Sequence, residues 1–319
     1  MDMTVVIPTY NGVNRFPDVL DRLRSQVISA DIPWEVLVVD NNSHDETVDV
    51  VKQYQQDWPK TVALRYVLEP KQGLAFARQC GVDNAQGAIV GFLDDDNWPQ
   101  PNWVAEAIKF SHLNPQVGAY GGKTEAAFEH PPEISIKQIA KFLALQDYGP
   151  KPYQFQPQRQ ILPAGAGLVV RRDAWLSCIP KTLVRISQGG DDYEISLRLA
   201  KRGWEIYYNP AMVIQHYIPP KRLDPVYLQQ LAHRYGLCTC ELMLIEVPFW
   251  QQPLLLAKFF LGTIKRILRH TLQHGWQKSD VGLQCQLNFH IGNLKSPFAY
   301  ILKSLQSKAK FKNHLDKLP

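Results

Sequence analysis

Apolar and polar positions alternate in two rhythms along the first hundred residues. Thr4-Val-Val-Ile7 is a short apolar run ending at Pro8, and Phe16, Leu20, Leu23 and Val27 then recur at helical spacing. Trp34–Asp40 predicts a second buried strand. Ser43-His-Asp-Glu46 has the spacing of a capping box and predicts a helix carrying Val48, Val51 and Tyr54. Val62–Leu68 predicts a third strand, Gly73 leads another helix, and Ala88–Leu93 is an apolar run that ends in Asp94-Asp95-Asp96. This βαβαβα order predicts an α/β fold with a largely parallel sheet and helices on both faces. Ligands of such sheets gather at the carboxyl ends of the strands, where Pro8–Asn11, Asp40–Asn42 and Asp94–Asp96 would lie. From 122 to 164 the pattern loosens around Pro131, Pro132, Pro150, Pro152 and Pro157, which predicts two loops about an amphipathic segment, Ile134–Leu145. A strand at Gly167–Arg171, a helix at Asp192–Arg202 and short strands at Trp204–Tyr208 and Met212–Gln215 are expected next, before His216. The body is expected to close near residue 220, giving a domain over 1–220 and a mainly helical extension over 221–319.

Composition narrows the class. Of 319 residues, 45% are hydrophobic and 20% charged, ordinary globular usage that excludes wholesale disorder. No apolar run approaches the ~18 residues that suggest a membrane span. The opening MDMTVVIPTY runs into a strand pattern without a basic start or cleavage site, so no signal peptide is expected. Cys80, Cys178, Cys238, Cys240 and Cys285 are odd in number and scattered, which argues against a disulfide framework. The expected location is cytoplasmic. Charge is unevenly placed: residues 1–216 carry −4 and residues 217–319 carry +9, within a total of +5. An acidic body with a basic rear suggests a catalytic part and a tail that meets something anionic.

Three consecutive carboxylates after an apolar strand raise one another's pKa unless a cation neutralises them. Mg²⁺ or Mn²⁺ supplies that charge and also binds a diphosphate. The plainer alternative is a solvated loop, with Asp96-Asn97-Trp-Pro99 capping a helix that starts near Gln100. His216 at a strand end is either structural or a metal ligand. Asp191-Asp192 at a helix start is favourable against the helix dipole in any case.

Taken in order, Pro8-Thr-Tyr-Asn11, Asp40-Asn-Asn-Ser43, Lys71-Gln-Gly-Leu-Ala-Phe-Ala-Arg78, the Asp94–Asp96 triplet, Gly189-Gly-Asp191-Asp192-Tyr-Glu194 and Tyr207-Tyr-Asn-Pro210 resemble the family 2 glycosyltransferases, inverting enzymes with the GT-A fold. The resemblance runs from residue 3 to about 217. The segments FLDDDNWPQPNWV, PAGAGLVVRRDAW and GWEIYYNPAM are further similar to cyanobacterial glycosyltransferases of hormogonium polysaccharide biosynthesis. The resemblance implies that Pro8, Thr9, Tyr10, Asn11, Asp40 and Asn41 hold the base and ribose of a nucleotide-sugar, UDP by default. It places Lys71, Gly73 and Arg78 beside the nucleotide. Asp94 would lie toward the ribose, with Asp95 counted among the same contacts. Asp96, with His216, would bind the metal that bridges the diphosphate. Asp192 is implied as the base that takes the acceptor's proton, with Asp191 as an acceptor-binding partner. Asp191 departs from the family's Glu-Asp pair, which weakens its own role more than that of Asp192. Gly165-Ala-Gly167 is either a tight turn or a place of close backbone approach to the sugars. Trp98 and Trp175 either stack on a sugar or pack in the core.

Processive relatives carry Gln-x-x-Arg-Trp and long membrane spans. Here Gln230-Leu-Ala-His-Arg234-Tyr235 is the nearest match, one residue too long and ending in Tyr, so a single addition to a glycan or lipid-linked acceptor is expected. Pro253–His274 sets Lys258, Lys265 and Arg269 along one side of a helix, with Leu255, Phe259, Leu261, Ile264 and Leu268 available to the other. Such a helix either lies on an anionic membrane surface or packs on the body. The competing functions are a sugar-phosphate nucleotidyltransferase, which would want a Gly-rich basic loop where Pro-Thr-Tyr-Asn stands, and a glycan-binding relative with a dead site. An NAD module lacks its Gly-x-Gly-x-x-Gly run, and nucleic-acid binding would rest on the basic tail alone.

Overall fold

The computed structural model describes the chain except residues 30, 131, 157–161, 184–189, 276–279 and 316–319, and describes backbone alone over 305–315. Pro131, Pro157 and Gly189, named in the loop and motif readings, lie outside the described residues. Two compact units form, one of Met1–Glu129 with Ala144–Ile218 and one of His130–Leu143 with Pro219–Pro319.

In the first unit, β1 (Met3–Thr9) pairs in parallel with β2 (Trp34–Asp40) and β4 (Ile89–Phe92), and β2 pairs in parallel with β3 (Ala63–Leu68). All seven residues of β1 and of β2 are buried, because helices cover both faces. Side chains alternate across the sheet. Met3, Val5 and Ile7 pack with Phe16, Leu20 and Leu23 of α1 (Phe16–Arg24) and with Trp103 and Ile108 of α4 (Trp103–Leu113). Val6, Leu37 and Val39 face the other way, toward α3 (Leu74–Asn84), α6 (Arg172–Cys178) and α7 (Asp191–Lys201). Val27 falls beyond α1 and is exposed, so the helical face ends at Leu23.

The second half of the sheet departs from the expected pattern. The strand order is β3-β2-β1-β4-β8-β6-β9-β5, with β7 (Tyr153–Gln154) also on β9. β8 (Val169–Arg171) is antiparallel to β4 and to β6. β6 is a twelve-residue strand, Val117–Phe128, where a loosening chain was expected. Its far half alternates polar residues, Lys123, Thr124 and Glu125, so its apolar signal is weak. The two short strands expected after Trp204 are one strand, β9 (Glu205–Ile218), parallel to β6. The register breaks between Gly121 and Lys123, and a Cβ on Gly122 would fall 1.7 Å from the Met212 carbonyl oxygen. Asn97–Pro99 is β5, antiparallel to β9, with Asn97 opposite His216. The helix-cap alternative for Asp96–Pro99 is thereby replaced, because the segment is drawn into the sheet edge. α4 starts only at Trp103.

The capping box is also corrected. α2 (Thr47–Gln56) has no side-chain cap from Ser43; Ser43 Oγ accepts instead from the Asn11 amide at 2.9 Å. Asp45 accepts from the Thr47 amide at 3.1 Å.

The second unit is helical: α5 (Ile136–Ile139), α8 (Pro225–Met243), α9 (Gln252–His274) and α10 (Val281–Leu315). α8 and α10 cross with backbones in contact, since a Cβ on Gly236 would lie 2.2 Å from the Phe289 carbonyl oxygen. Ser296 Oγ seals the crossing by donating to the Leu237 carbonyl at 2.7 Å. Residues 130–143 group here rather than with a continuous 1–220 body. Phe142 packs its ring 6.3 Å from Tyr235 and 6.1 Å from Phe289, and Gln138 donates to Asp280 at 3.3 Å. No described helix is long and apolar enough to cross a membrane.

Candidate active site

The site forms in the first unit at the carboxyl ends of β1, β2 and β4. β4 stops at Phe92, opposite Val6, so β1 runs on beyond it with β2 as its partner. Pro8, which has no N–H to give a second neighbour, sits in that stretch. Pro8 and Thr9 are thus strand residues rather than loop. Tyr10 and Asn11 project beyond the strand and are exposed, with Asn11 in the left-handed region at φ 48°. Asn11 Oδ1 accepts from the His44 amide at 2.9 Å, and Tyr10 lies edge-on to the His44 ring at 6.3 Å. The first two loops therefore hold each other.

Asp40 and Asn41 end β2 and are buried. Asp40 accepts from the Ser43 amide and the Tyr66 hydroxyl, both at 2.8 Å, so each oxygen keeps one acceptor direction. Asn41 spans to the next loop: its amide donates to the Lys71 carbonyl at 2.8 Å, and its Oδ1 accepts from the Gly73 amide at 2.7 Å. Gly73 takes φ 135° there, a conformation open to glycine, and caps α3. Lys71 Nζ sits 3.8 Å above the Phe76 ring. Asn41 and Gly73 thereby tie the loops after β2 and β3 together.

The Asp triplet fans out to three different partners. Asp94 Oδ1 meets Arg78 at 3.4 Å. Asp95 takes two hydrogen bonds from Arg15, at 3.1 and 2.8 Å, and one from Thr9 Oγ1 at 3.0 Å. Asp96 Oδ2 lies 3.6 Å from His216 Nε2. The three carboxylates thus turn to separate partners, with Arg78 beside Asp94 and Arg15 beside Asp95. Loss of solvent still pushes the Asp94 carboxyl above the usual range, with Arg78 pulling it down and Asp96 and Asp95 pushing it up. Asn97 brackets the turn: its Oδ1 accepts from the Asp94 amide at 3.1 Å and its Nδ2 donates to Asp96 Oδ1 at 3.0 Å.

Arg78 joins the donor side to α7. It is 2% exposed, with Nη1 2.6 Å from Asp191 Oδ2. Asp191, also buried, gives its Oδ2 to this pair. Arg78 Nε is buried with no hydrogen-bond partner among the described residues. Asp192 points elsewhere: Oδ2 accepts from the Gly165 amide at 2.6 Å and Oδ1 from the Tyr193 amide at 2.8 Å. Burial and then the charge of Asp191 push its carboxyl up to about 6, with Arg78 and the two amides opposing. Gly165 is also sterically committed, since a Cβ there would fall 2.5 Å from Arg78 Nη2. Gln146 fixes that loop, donating to the Leu162 carbonyl and accepting from the Ala164 amide, both at 3.1 Å.

Trp175 is a core residue at 1% exposure, donating to Gln79 at 2.9 Å. Trp98 stacks on Tyr217 at 5.3 Å with Arg22 4.7 Å from its ring. Both are packing residues rather than sugar platforms. Arg15, Asn97, Tyr66 and Gln146 are the residues that sequence reasoning missed. Asn97 alone had a signal, its place beside the triplet.

Two ligands on one Mg²⁺ or Mn²⁺ stand roughly 3.0–3.5 Å apart, given metal–ligand distances of about 2.1 Å. The Asp96–His216 separation of 3.6 Å lies just above that spacing. Among the described residues no three His, Cys, Asp or Glu side chains form a cage, so phosphate and water would complete the shell, as Mg²⁺ prefers.

The chain is 23% identical over 281 residues to Glycosyltransferase AglE of Haloferax volcanii, covering 77% of this chain and 90% of that one. It is 30% identical over 139 residues to the putative teichuronic acid biosynthesis glycosyltransferase TuaG of Bacillus subtilis, covering 41% of this chain and 53% of TuaG. Among solved structures, the mannosyltransferase PcManGT of Pyrobaculum calidifontis in complex with GDP-Man and Mn²⁺ matches with a TM-score of 0.60 at 20% identity, over 96% of this chain and 87% of that one. TarS 1–349 of S. aureus in complex with UDP-GlcNAc matches at 0.54 and 14%, over 95% and 92%. These likenesses carry the fold. The profile of Glycosyl transferase family 2 matches residues 4–168, and that of Glycosyl transferase family group 2 matches residues 89–300. With more than half its length inside the first of these profiles and a mixed α/β sheet that ends in the site above, the chain belongs to glycosyl transferase family 2.

Proposed function

We propose that this enzyme is a metal-dependent inverting transferase that moves one sugar per encounter from a nucleoside-diphosphate donor, UDP by default, to a hydroxyl of a glycan or lipid-linked acceptor in exopolysaccharide assembly. The observation that carries the reading is the contact of one buried Arg78 with both Asp94 and Asp191, which couples the donor acids to the helix bearing Asp192. Tyr10, Asn11 and the remaining acceptor directions of Asp40 receive the base and ribose, within loops tied by Asn41 and Gly73. Lys71 stands beside them, its carbonyl accepting from Asn41. Asp94 faces the ribose, and Asp95 braces the loop through Arg15 and Thr9 instead of binding sugar.

Asp96 and His216 would hold Mn²⁺ or Mg²⁺, which would supply charge that stabilises a departing diphosphate. Asp192, held by two amides and raised toward neutrality, takes the acceptor's proton as its oxygen attacks. Inversion follows from having the base on the face opposite the leaving group. The C-terminal extension makes peripheral contact with a membrane surface.

A melting series with UDP, GDP and dTDP, each with and without Mn²⁺, tests the donor assignment. One nucleotide should raise Tm by a Mn²⁺-dependent increment, about 2.7 kcal/mol of stabilisation at a hundredfold excess over Kd. No increment with any nucleotide would overturn the donor site.

A further inference from the structure

α9 carries apolar residues on both of its faces. The residues it buries are Thr263 and His270, seven apart and so on one face. Leu254, Leu261, Leu268 and Leu272 lie along the opposite face and are between 58% and 86% exposed. A helix resting on a globular body turns its apolar stripe inward. Here Leu256, Phe259, Phe260 and Ile267 lie half-buried on the same face as Thr263 and His270, and a second row of leucines faces outward, as expected where the outside is apolar as well.

The surroundings extend the same surface. Phe249 and Trp250, 82% and 67% exposed, stand immediately before the helix. The Phe298 ring of α10 lies 5.8 Å from Phe260, placing exposed Phe298, Ile301 and Leu302 beside the first turns of α9. Tyr300 donates to Gln252 at 3.0 Å and holds the two helices in that relation.

Charge selects the occupant. Residues 247–279 contain no Asp or Glu, and five Lys or Arg: Lys258, Lys265, Arg266, Arg269 and Lys278. Lys258, Lys265 and Arg269 are exposed on the same side as Leu261 and Leu268, not opposite them as the spacing suggested, because the face that α9 covers is the one around Thr263 and His270. A second copy meeting this face isologously would set cation against cation. An anionic bilayer offers phosphates at the height of the basic heads and acyl chains beneath, and long basic side chains reach outward along an apolar surface. No described helix can cross the membrane, so α9 lies in its plane.

We infer that this protein docks on anionic membranes through α9 as an in-plane anchor. Phe249, Trp250 and the four leucines enter the interface, and Lys258, Lys265 and Arg269 bind lipid phosphates. This sharpens the peripheral contact proposed above and is independent of the sugar-transfer reading.

The test is co-sedimentation of the full chain with vesicles of phosphatidylcholine alone and with roughly a third phosphatidylglycerol, at low and high salt. The wild type should bind the anionic vesicles at least about tenfold better, and added salt should weaken binding. Leu261→Glu/Leu268→Glu alters exposed positions only, so its circular dichroism should match the wild type while its partition falls about tenfold or more. UDP–Mn²⁺ melting increments, read in the same samples, should be identical in both, which separates failure of docking from failure of the donor site. Absent or equal binding by wild type and variant would overturn the anchor. So would a wild-type dimer by light scattering that the variant loses without any vesicle binding, which would assign the face to a second copy.

Discussion

The Asp192 carboxyl is raised to about 6 because burial and the adjacent Asp191 disfavour its charge. A base works only with its proton off, so kcat should rise through about pH 6 and level above it, with nucleotide affinity flat across the range. A pH profile of initial rates beside nucleotide titrations checks this. Asp192→Asn should lower kcat by about 10²–10⁴-fold at unchanged nucleotide Kd. The stability effect runs the other way. A folded pKa above the unfolded 3.8 means the folded state holds this proton more tightly, so its contribution to stability falls as pH rises from 3.8 through about 6. The difference in Tm between Asp192→Asn and wild type should therefore shift in the variant's favour between pH 4 and pH 7.5, on top of a constant cost for the one amide hydrogen bond that Asn cannot accept. The triplet divides similarly. Asp96→Asn should remove the Mn²⁺-dependent part of nucleotide affinity, whereas Asp95→Asn should keep the Mn²⁺ dependence and loosen the loop that Arg15 and Thr9 hold. Equal loss of Mn²⁺ dependence in both would show that the middle acid is also a ligand. The acidic character of Asp94–Asp96 and the pairing of Asp96 with His216 were legible through the resemblance; Arg78 beside Asp94 and Arg15 beside Asp95 were not, because both arrive from distant segments.

At the scale of elements, the site depends on close approach. Gly165 lies between Arg78 and Asp192, and its amide is one of the two that hold the base. Gly165→Ala should push the Arg78 guanidinium aside, lowering kcat and nucleotide affinity together, with an overpacking cost of about 1–3 kcal/mol in urea unfolding. Unchanged kinetics would mean that Arg78 and Asp192 are not coupled through this loop. The strands of the first half were readable because β1 and β2 are buried on both faces and so are continuously apolar. β6 was not, because it leaves the core midway and its polar far half reads as loop. β5 was not, because three residues carry no period. Its pairing with β9 is nevertheless what sets Asp96 against His216.

Across the whole molecule, the residues assigned to donor and acceptor chemistry all belong to the first unit, Met1–Glu129 with Ala144–Ile218. Hydrogen exchange with UDP–Mn²⁺ should add protection in peptides around Thr9–Asn11, Asp40–Ser43, Asp94–Asn97 and His216, and leave α9 unchanged. Protection gained along α9 would place nucleotide contacts in the second unit. The sequence by itself determined the α/β rhythm, the order of motifs that marks the family, the set of acids, and the basic character of the rear. Each of these is written in local spacing or composition. The tertiary structure alone decided that residues 130–143 join the helical unit, that Asp191 pairs with Arg78 while Asp192 accepts from the Gly165 and Tyr193 amides, and that α9 leaves a row of leucines exposed. Those outcomes depend on which distant side chains meet and which face of a helix is covered, and a periodic pattern specifies that a face exists without specifying what it faces.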